Sequence, residues 1–156
     1  MEKSTAIEIE WAQYQAPVYN FLRRMGLAPE LAADLAQETL LRAIRGAHRY
    51  RGEGSVRAWV LGIAHNVFRE WLRAGRREVP VAEIVDSPEM SPSQVESVDV
   101  ERALAGLNPD DREILTLRFV LDLPSQEVAI ALGITDQAVR QRVARAKAEF
   151  KKGWER

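Results

Sequence analysis

Six long polar side chains fall within eleven residues near the C-terminus: Gln137, Arg140, Gln141, Arg142, Arg145 and Lys147. Arginine can bond a guanine edge bidentately in the DNA major groove, and glutamine can do the same to adenine. Cations further along such a helix are better placed for phosphates. The preceding segment, from Ser125, holds Ala129, small enough for a close helix crossing, and Gly133, which can take a positive-φ corner. Ile134, Val139 and Val143 are spaced to point inward, which leaves the polar set on the opposite face. Two helices joined by a tight glycine turn form the helix-turn-helix pattern. A helical hairpin with a merely charged outer face is the competing reading. Glycine, small residue and outward Arg and Gln together favour DNA.

A second group runs from Arg49 to Arg77. Tyr50, Trp59, Phe68 and Trp71 are interleaved with Arg49, Arg51, Arg57, Arg69, Arg73, Arg76 and Arg77. Cationic tracks with aromatic platforms hold single strands, and a glycine-containing loop beside a helix could accept an unstacked base. A three-helix core that absorbs the tryptophans explains the aromatics equally well. On either reading, at least one of Trp59 and Trp71 belongs in the core.

A third group lies at Asp34-Leu35-Ala36-Gln37-Glu38-Thr39-Leu40-Leu41-Arg42-Ala43-Ile44-Arg45. Helical spacing puts Asp34, Glu38 and Leu41 on one face, and Gln37, Leu41 and Arg45 on one face. An acidic-polar stripe beside an apolar residue suits a protein partner. Taken alone, the segment is explained better as a solvated amphipathic helix.

Helices are the elements that must position these groups. Apolar residues from Ile7 to Met25 recur at three- and four-residue steps. Pro17 allows either two helices or one kinked helix there. A second helix is predicted from Pro29 to Gly46, with Leu31, Leu35, Leu40, Leu41 and Ile44 as apolar positions. Ser55 is a candidate cap for a third that runs towards Gly75. Asn108 and Pro109 open another, which carries Ile114 to Phe119, and Asp110 and Asp111 complement its positive end. Pro124-Ser125 starts a short helix ended by Gly133, and Thr135 caps a last one from about Asp136 to Lys151. No period-two alternation persists, so the fold class is all-α.

The 156 residues allow one ordinary domain or two small ones. Residues 79–100 hold Pro80, Pro88 and Pro92, four serines and a run of carboxylates, a composition that reads as a flexible acidic linker. The expected organisation is two small helical bundles, 1–78 and 101–156, joined by that segment. Extended, the linker could reach about 70 Å. The net charge of −1 conceals alternating blocks. Residues 42–77 carry nine arginines against two acids, 78–113 carry ten acids against two arginines, and 114–156 are basic again. That pattern suggests two polyanion-facing surfaces on one chain, and solvated helix faces that happen to be Arg-rich explain the charge equally well.

With no cysteine and only His48 and His65, thiolate chemistry is excluded and a catalytic metal disfavoured. No convergent acid-base or nucleophile set and no phosphate-cradling glycine loop occur. No catalytic residue, cofactor or metal is therefore expected. The N-terminus has no apolar stretch of signal or membrane-spanning length, so the expected location is the cytoplasm, without membrane insertion.

Taken together, the three groups resemble the compact extracytoplasmic-function (ECF) group of bacterial sigma factors, within the sigma-70 family. Asp34-Leu35-Ala36-Gln37-Glu38-Thr39 is similar to the segment that docks on the clamp helices of the polymerase largest subunit. The stretch from Tyr50-Arg51-Gly52-Glu53 through Arg57 to Asn66 resembles the region that melts and captures the minus-ten element. Leu107-Asn108-Pro109-Asp110-Asp111-Arg112-Glu113 resembles the opening of the minus-thirty-five domain, and Gly133 to Lys147 its recognition helix. The family often has aromatics where Leu40 and Ile44 stand. Polymerase contacts are implied for Asp34, Gln37, Glu38, Leu41, Arg42 and Arg45. Minus-ten contacts are implied for Arg49, Tyr50, Arg51, Ser55, Trp59, Asn66, Arg69, Arg73, Arg76 and Arg77. Minus-thirty-five contacts fall to Gln137, Arg140, Gln141, Arg142, Arg145 and Lys147.

The implied partners are core RNA polymerase (clamp helices and flap region), promoter DNA in double- and single-stranded form, and an anti-sigma factor. The implied function is an alternative sigma factor that directs polymerase to promoters and helps melt them. A stand-alone helix-turn-helix regulator, which predicts tight DNA binding without polymerase, and a helical adaptor that binds only protein are the alternatives.

Overall fold

The structure, a computed structural model, describes residues 2–74, with side chains from Trp11 onward, and residues 100–154. Arg76, Arg77 and nearly all of the expected linker lie outside the described residues. Every regular element among the described residues is helical.

The first bundle has three helices. Helix α1 spans Glu2–Arg24, and Pro17 lies inside it, so the chain uses one helix where the sequence allowed two. Gly26, at φ 96°, turns the chain out of α1. Helix α2, Pro29–Arg45, begins with proline in its first turn, where no N–H is needed. A short 3-10 turn, Ala47–Arg49, leads into the glycine loop. Helix α3, Val56–Arg73, is capped as expected: Ser55 Oγ accepts from the Ala58 amide at 3.0 Å. Val18, Phe21, Leu22, Leu61 and Phe68 are fully buried between the three helices. Trp71 is also buried, which meets the expectation for at least one tryptophan.

Helical residues 100–105, absent from the sequence reading and here called α4, are the first described residues of the second bundle. Helix α5, Pro109–Leu115, follows, with Asn108 Oδ1 accepting from the Asp111 amide at 2.9 Å. The helix was expected to continue to Phe119. It widens instead into a π-turn over Thr116–Val120, where the Leu121 amide reaches back to the Thr116 carbonyl at 2.8 Å. Helix α6, Ser125–Leu132, ends at Gly133 in the left-handed conformation, φ 67°. Helix α7, Asp136–Trp154, is capped by Thr135 Oγ1, which accepts from the Ala138 amide at 3.0 Å, and it runs three residues past its predicted end. Val139 is fully buried, while Ile134 and Val143 are half-buried against the same core.

The two bundles pack on one another, α3 against α6. Gly62 makes that approach possible. A Cβ at this position would lie 3.0 Å from the Ala131 carbonyl oxygen and 3.2 Å from its Cα. At a second seam the Arg112 guanidinium, nearly buried, donates to the carbonyls of Leu104, Ala105 and Leu107 in its own bundle and of Met25, in the turn after α1, in the first. Burial lowers its pKa, against the attraction of Glu101. Glu101 pairs with Arg24 across the seam at 2.9 Å.

Candidate nucleic-acid and partner interfaces

Helix α7 presents all six of its predicted readers to solvent. Gln137, Arg140, Gln141 and Arg145 share the face opposite buried Val139 and Ala146, because four-residue steps repeat on a helix. Arg142 and Lys147 flank that face. Asp136 holds Arg140 at 3.1 Å, Arg145 stands 4.0 Å from Asp111, and the Lys147 ammonium lies 4.6 Å above the Phe119 ring. The cations themselves are exposed and these tethers weak, the one to buried Asp111 being 4.0 Å long, so the cations can turn to DNA at small cost. Gly133 and the α6–α7 corner hold α7 outward, as a major-groove helix requires.

On α2, Asp34, Gln37, Leu41 and Arg45 are exposed, and Glu38 and Arg42 are half-buried. Arg42 does more than face outward. Its guanidinium binds Glu38 Oε1 at 3.0 Å and both Glu70 carboxylate oxygens, at 2.5 and 3.2 Å. Hydrogen bonding to Glu70, then to Glu38, raises the Arg42 pKa, and the bond from Arg42 lowers that of Glu70. Arg42 therefore braces α2 against α3 as well as belonging to the docking stripe. Two apolar positions also emerge: Leu41 is 46% exposed and Ile44 is 45% exposed. Ile44 was read only as an apolar helix position. Three-residue spacing from Leu41 was the signal that would have added it to the outer face.

The minus-ten set is divided. Arg49, Arg51 and Arg73 are exposed, and Tyr50 Oη closes the glycine loop by donating to the Gly54 carbonyl at 2.6 Å. Trp59, half-buried, lies between Trp11 at 6.2 Å and Tyr50 at 5.8 Å, centroid to centroid. Its face is thus partly core and partly platform, a blend of the two readings. Asn66, on the outer side of α3, lines a cleft of about 250 Å³ with Trp59, Gly62 and α6 residues.

Ser55 and Arg69 are already engaged by the second bundle. The Ser55 amide donates to Glu127 Oε1 at 2.7 Å. Arg69 binds Asp110 at 2.5 Å and Glu113 at 2.8 Å, and beside it His65 Nδ1 meets Glu113 at 2.7 Å. Burial lowers the Arg69 pKa, but the bonds to Glu113 and Asp110 outweigh it and the net shift is upward. The sequence accounted for Asp110 by helix-end charge alone. The structure adds this ion pair, which no local pattern announces.

Among the described residues no helix is long and apolar enough to cross a membrane. Residues 11–78 match the model of sigma-70 region 2, and residues 97–150 match that of sigma-70 region 4. The RNA polymerase sigma factor YlaC of Bacillus subtilis is 32% identical over 97% of this chain and 94% of its own. The ECF RNA polymerase sigma factor SigM of the same organism is 30% identical over 90% of each. The fold resembles that of the sigma factor RpoE of Bartonella quintana, solved with the anti-sigma factor NepR. That likeness has a TM-score of 0.76 and 22% identity, and covers 96% of this chain and 97% of that one. These relatives align with both bundles, which leaves no room for a stand-alone regulator whose first half serves another purpose. The chain belongs to the ECF sigma factors of the sigma-70 family, proteins that direct RNA polymerase to promoters.

Proposed function

We propose that this alternative sigma factor divides initiation among three surfaces. Helix α2 docks on the clamp helices of the polymerase largest subunit through Asp34, Gln37, Glu38, Leu41, Arg42 and Arg45, and Ile44 widens that face. The loop 50–55 and α3 take the minus-ten strand, with bases stacking at Tyr50 and Trp59 and lodging near Ser55 and Asn66. Phosphates fall to Arg49, Arg51, Arg69, Arg73, Arg76 and Arg77. Helix α7 reads the minus-thirty-five duplex, with Gln137, Arg140 and Gln141 towards base edges and Arg142, Arg145 and Lys147 towards the backbone. Residues 1–78 and 101–156 act as the two working units, tethered by the acidic segment 79–100, and the second unit meets the flap region.

The observation that carries this reading is the pairing of an exposed Arg/Gln face on α7 with an exposed Leu41–Ile44 edge on α2. One suits duplex DNA and the other a protein. Energy for strand opening comes from captured bases and phosphate contacts, without nucleotide hydrolysis or catalysis by this chain. It works in the cytoplasm beside the polymerase, under an anti-sigma factor like the one with which the Bartonella quintana protein was solved.

Run-off transcription with bacterial core polymerase on genomic promoter fragments tests the proposal. Transcripts that start at defined positions only when the chain is added are the expected outcome. An identical transcript pattern with and without it refutes the reading.

A further inference from the structure

Three charged side chains form a relay at the edge of the α2 face assigned to the polymerase. Arg42 Nε donates to Glu38 Oε1 at 3.0 Å, while Nη1 and Nη2 fork onto the Glu70 carboxylate of α3 at 2.5 and 3.2 Å. All three side chains are between 39% and 47% exposed, so the relay lies on the surface and adds little to folding stability. Its effect is geometric. A guanidinium carries five N–H groups in a rigid plane, and three of them go to these two carboxylates. The fork on Glu70 sets that plane, and the plane sets where Glu38 Oε1 stands. Among the described residues Glu38 bonds Arg42 through Oε1 alone, which leaves Oε2 to a partner.

Charge acts in the same direction. Arg42 paired with Glu38 alone would cancel it, whereas two carboxylates on one cation leave a net negative charge near exposed Asp34 on the same helix. Glu70 thus keeps the stripe acidic, as suits a partner surface that presents cations.

We infer that Glu70 is a positioning residue for polymerase docking: from α3 it fixes Arg42, and through Arg42 the Glu38 carboxylate, in the arrangement that a basic partner surface meets. The inference rests on the docking proposed for α2. Arg42 belongs to the docking face by holding Glu38 in place. Two long side chains then reach the interface already ordered, and the entropy of fixing them is not lost on association.

An interferometry titration of the full-length chain against bacterial core polymerase tests this. Glu70→Ala, Arg42→Glu, and Arg42→Glu combined with Glu70→Arg are compared with wild type. The double variant exchanges the partners and keeps the pair. Thermal melting and duplex binding through α7 report on the fold. Binding of a short single-stranded oligonucleotide without polymerase reports on α3, where Arg73 is close enough to Glu70 to influence its charge.

Glu70→Ala is expected to weaken polymerase association at least about fivefold, with Tm and duplex binding little changed. Single-strand binding is expected to hold or to strengthen, because loss of a carboxylate near Arg73 favours a polyanion. Arg42→Glu is expected to weaken association further, since it sets three carboxylates together. The exchanged pair should recover to within about twofold of wild type. Unaltered association of Glu70→Ala overturns the inference. An exchanged pair as weak as Arg42→Glu overturns it too, by giving Arg42 a contact of its own, and so does a loss that only follows a fall in Tm. A wild-type chain that does not bind polymerase refutes the docking reading as well, whereas equal binding by wild type and Glu70→Ala refutes the positioning alone.

Discussion

Arg140 stands at the middle of the α7 reading face, tied among the described residues to Asp136 one helical turn before it. Such a side chain can leave its intrahelical partner for a base edge, because exposed pairs of this spacing contribute a few tenths of a kcal/mol. Arg140→Ala is expected to weaken binding to the preferred upstream duplex by about 1–3 kcal/mol and to relax preference at one base pair. Competition binding against a panel of single-base variants checks this, and a uniform loss across the panel would move Arg140 to the phosphates. Gly133 is needed for a different reason. Nothing lies within 4 Å of where its Cβ would be, so only the left-handed φ of 67° makes glycine necessary. Gly133→Ala should lower unfolding free energy by about 1–2 kcal/mol through backbone strain alone, measured by urea titration.

Among the helices, α2 combines an outer face for a partner with a brace to α3. Asp34→Ala with Glu38→Ala removes two charges from that face, and each truncation in a docking hot spot commonly costs more than about 1 kcal/mol. Polymerase association is expected to fall at least about tenfold in a pull-down or interferometry titration, while duplex binding through α7 is retained. The seam helices differ in their response to pH. Burial raises the Glu101 pKa, against Arg24, Arg112 and Arg23, so the neutral form is favoured in the folded chain. That advantage is complete below the ordinary carboxyl pKa and is lost as pH rises through the raised one. Glu101→Gln should therefore raise Tm at pH 7 and change little at pH 4. Arg42 lowers the Glu70 pKa, so its contribution is present above the ordinary value and disappears as pH falls through the lowered one. Glu70→Gln should depress Tm slightly at pH 7, because the pair is exposed and screened, and not at all in strong acid.

In the molecule as a whole, Arg112 fastens the two bundles. Four carbonyls, from the turn after α1, from α4 and from the chain after α4, converge on one guanidinium. Arg112→Met fills the volume and leaves those acceptors unpaired, at about 1–3 kcal/mol for each one that water cannot reach. A drop of at least about 3 kcal/mol in unfolding free energy is expected by calorimetry or urea titration.

Local rules were enough to place α2, α3 and α5–α7, because each carries its own punctuation. Pro29, Ser55, Asn108, Gly133 and Thr135 act on their immediate neighbours, and all five do so here. The outward set on α7 followed from the same periodicity, since helix spacing alone puts Val139 and Gln137 on different sides. The helical segment 100–105 and the π-turn at Thr116 were not legible, because the first adjoins a stretch read as linker and the second is a local widening of a helix that periodicity alone continues. Nor could spacing show that Arg42 would bind Glu70 or that Arg69 would meet Glu113, 28 and 44 residues away. Which helices form and which way their faces point was set by residues a few positions apart. Which charged groups find each other was decided only by packing, of α2 against α3 for Arg42 and Glu70 and of α3 against the second bundle, where Gly62 lets two backbones approach, for Arg69 and Glu113, since attraction between distant charges acts on whatever geometry packing provides.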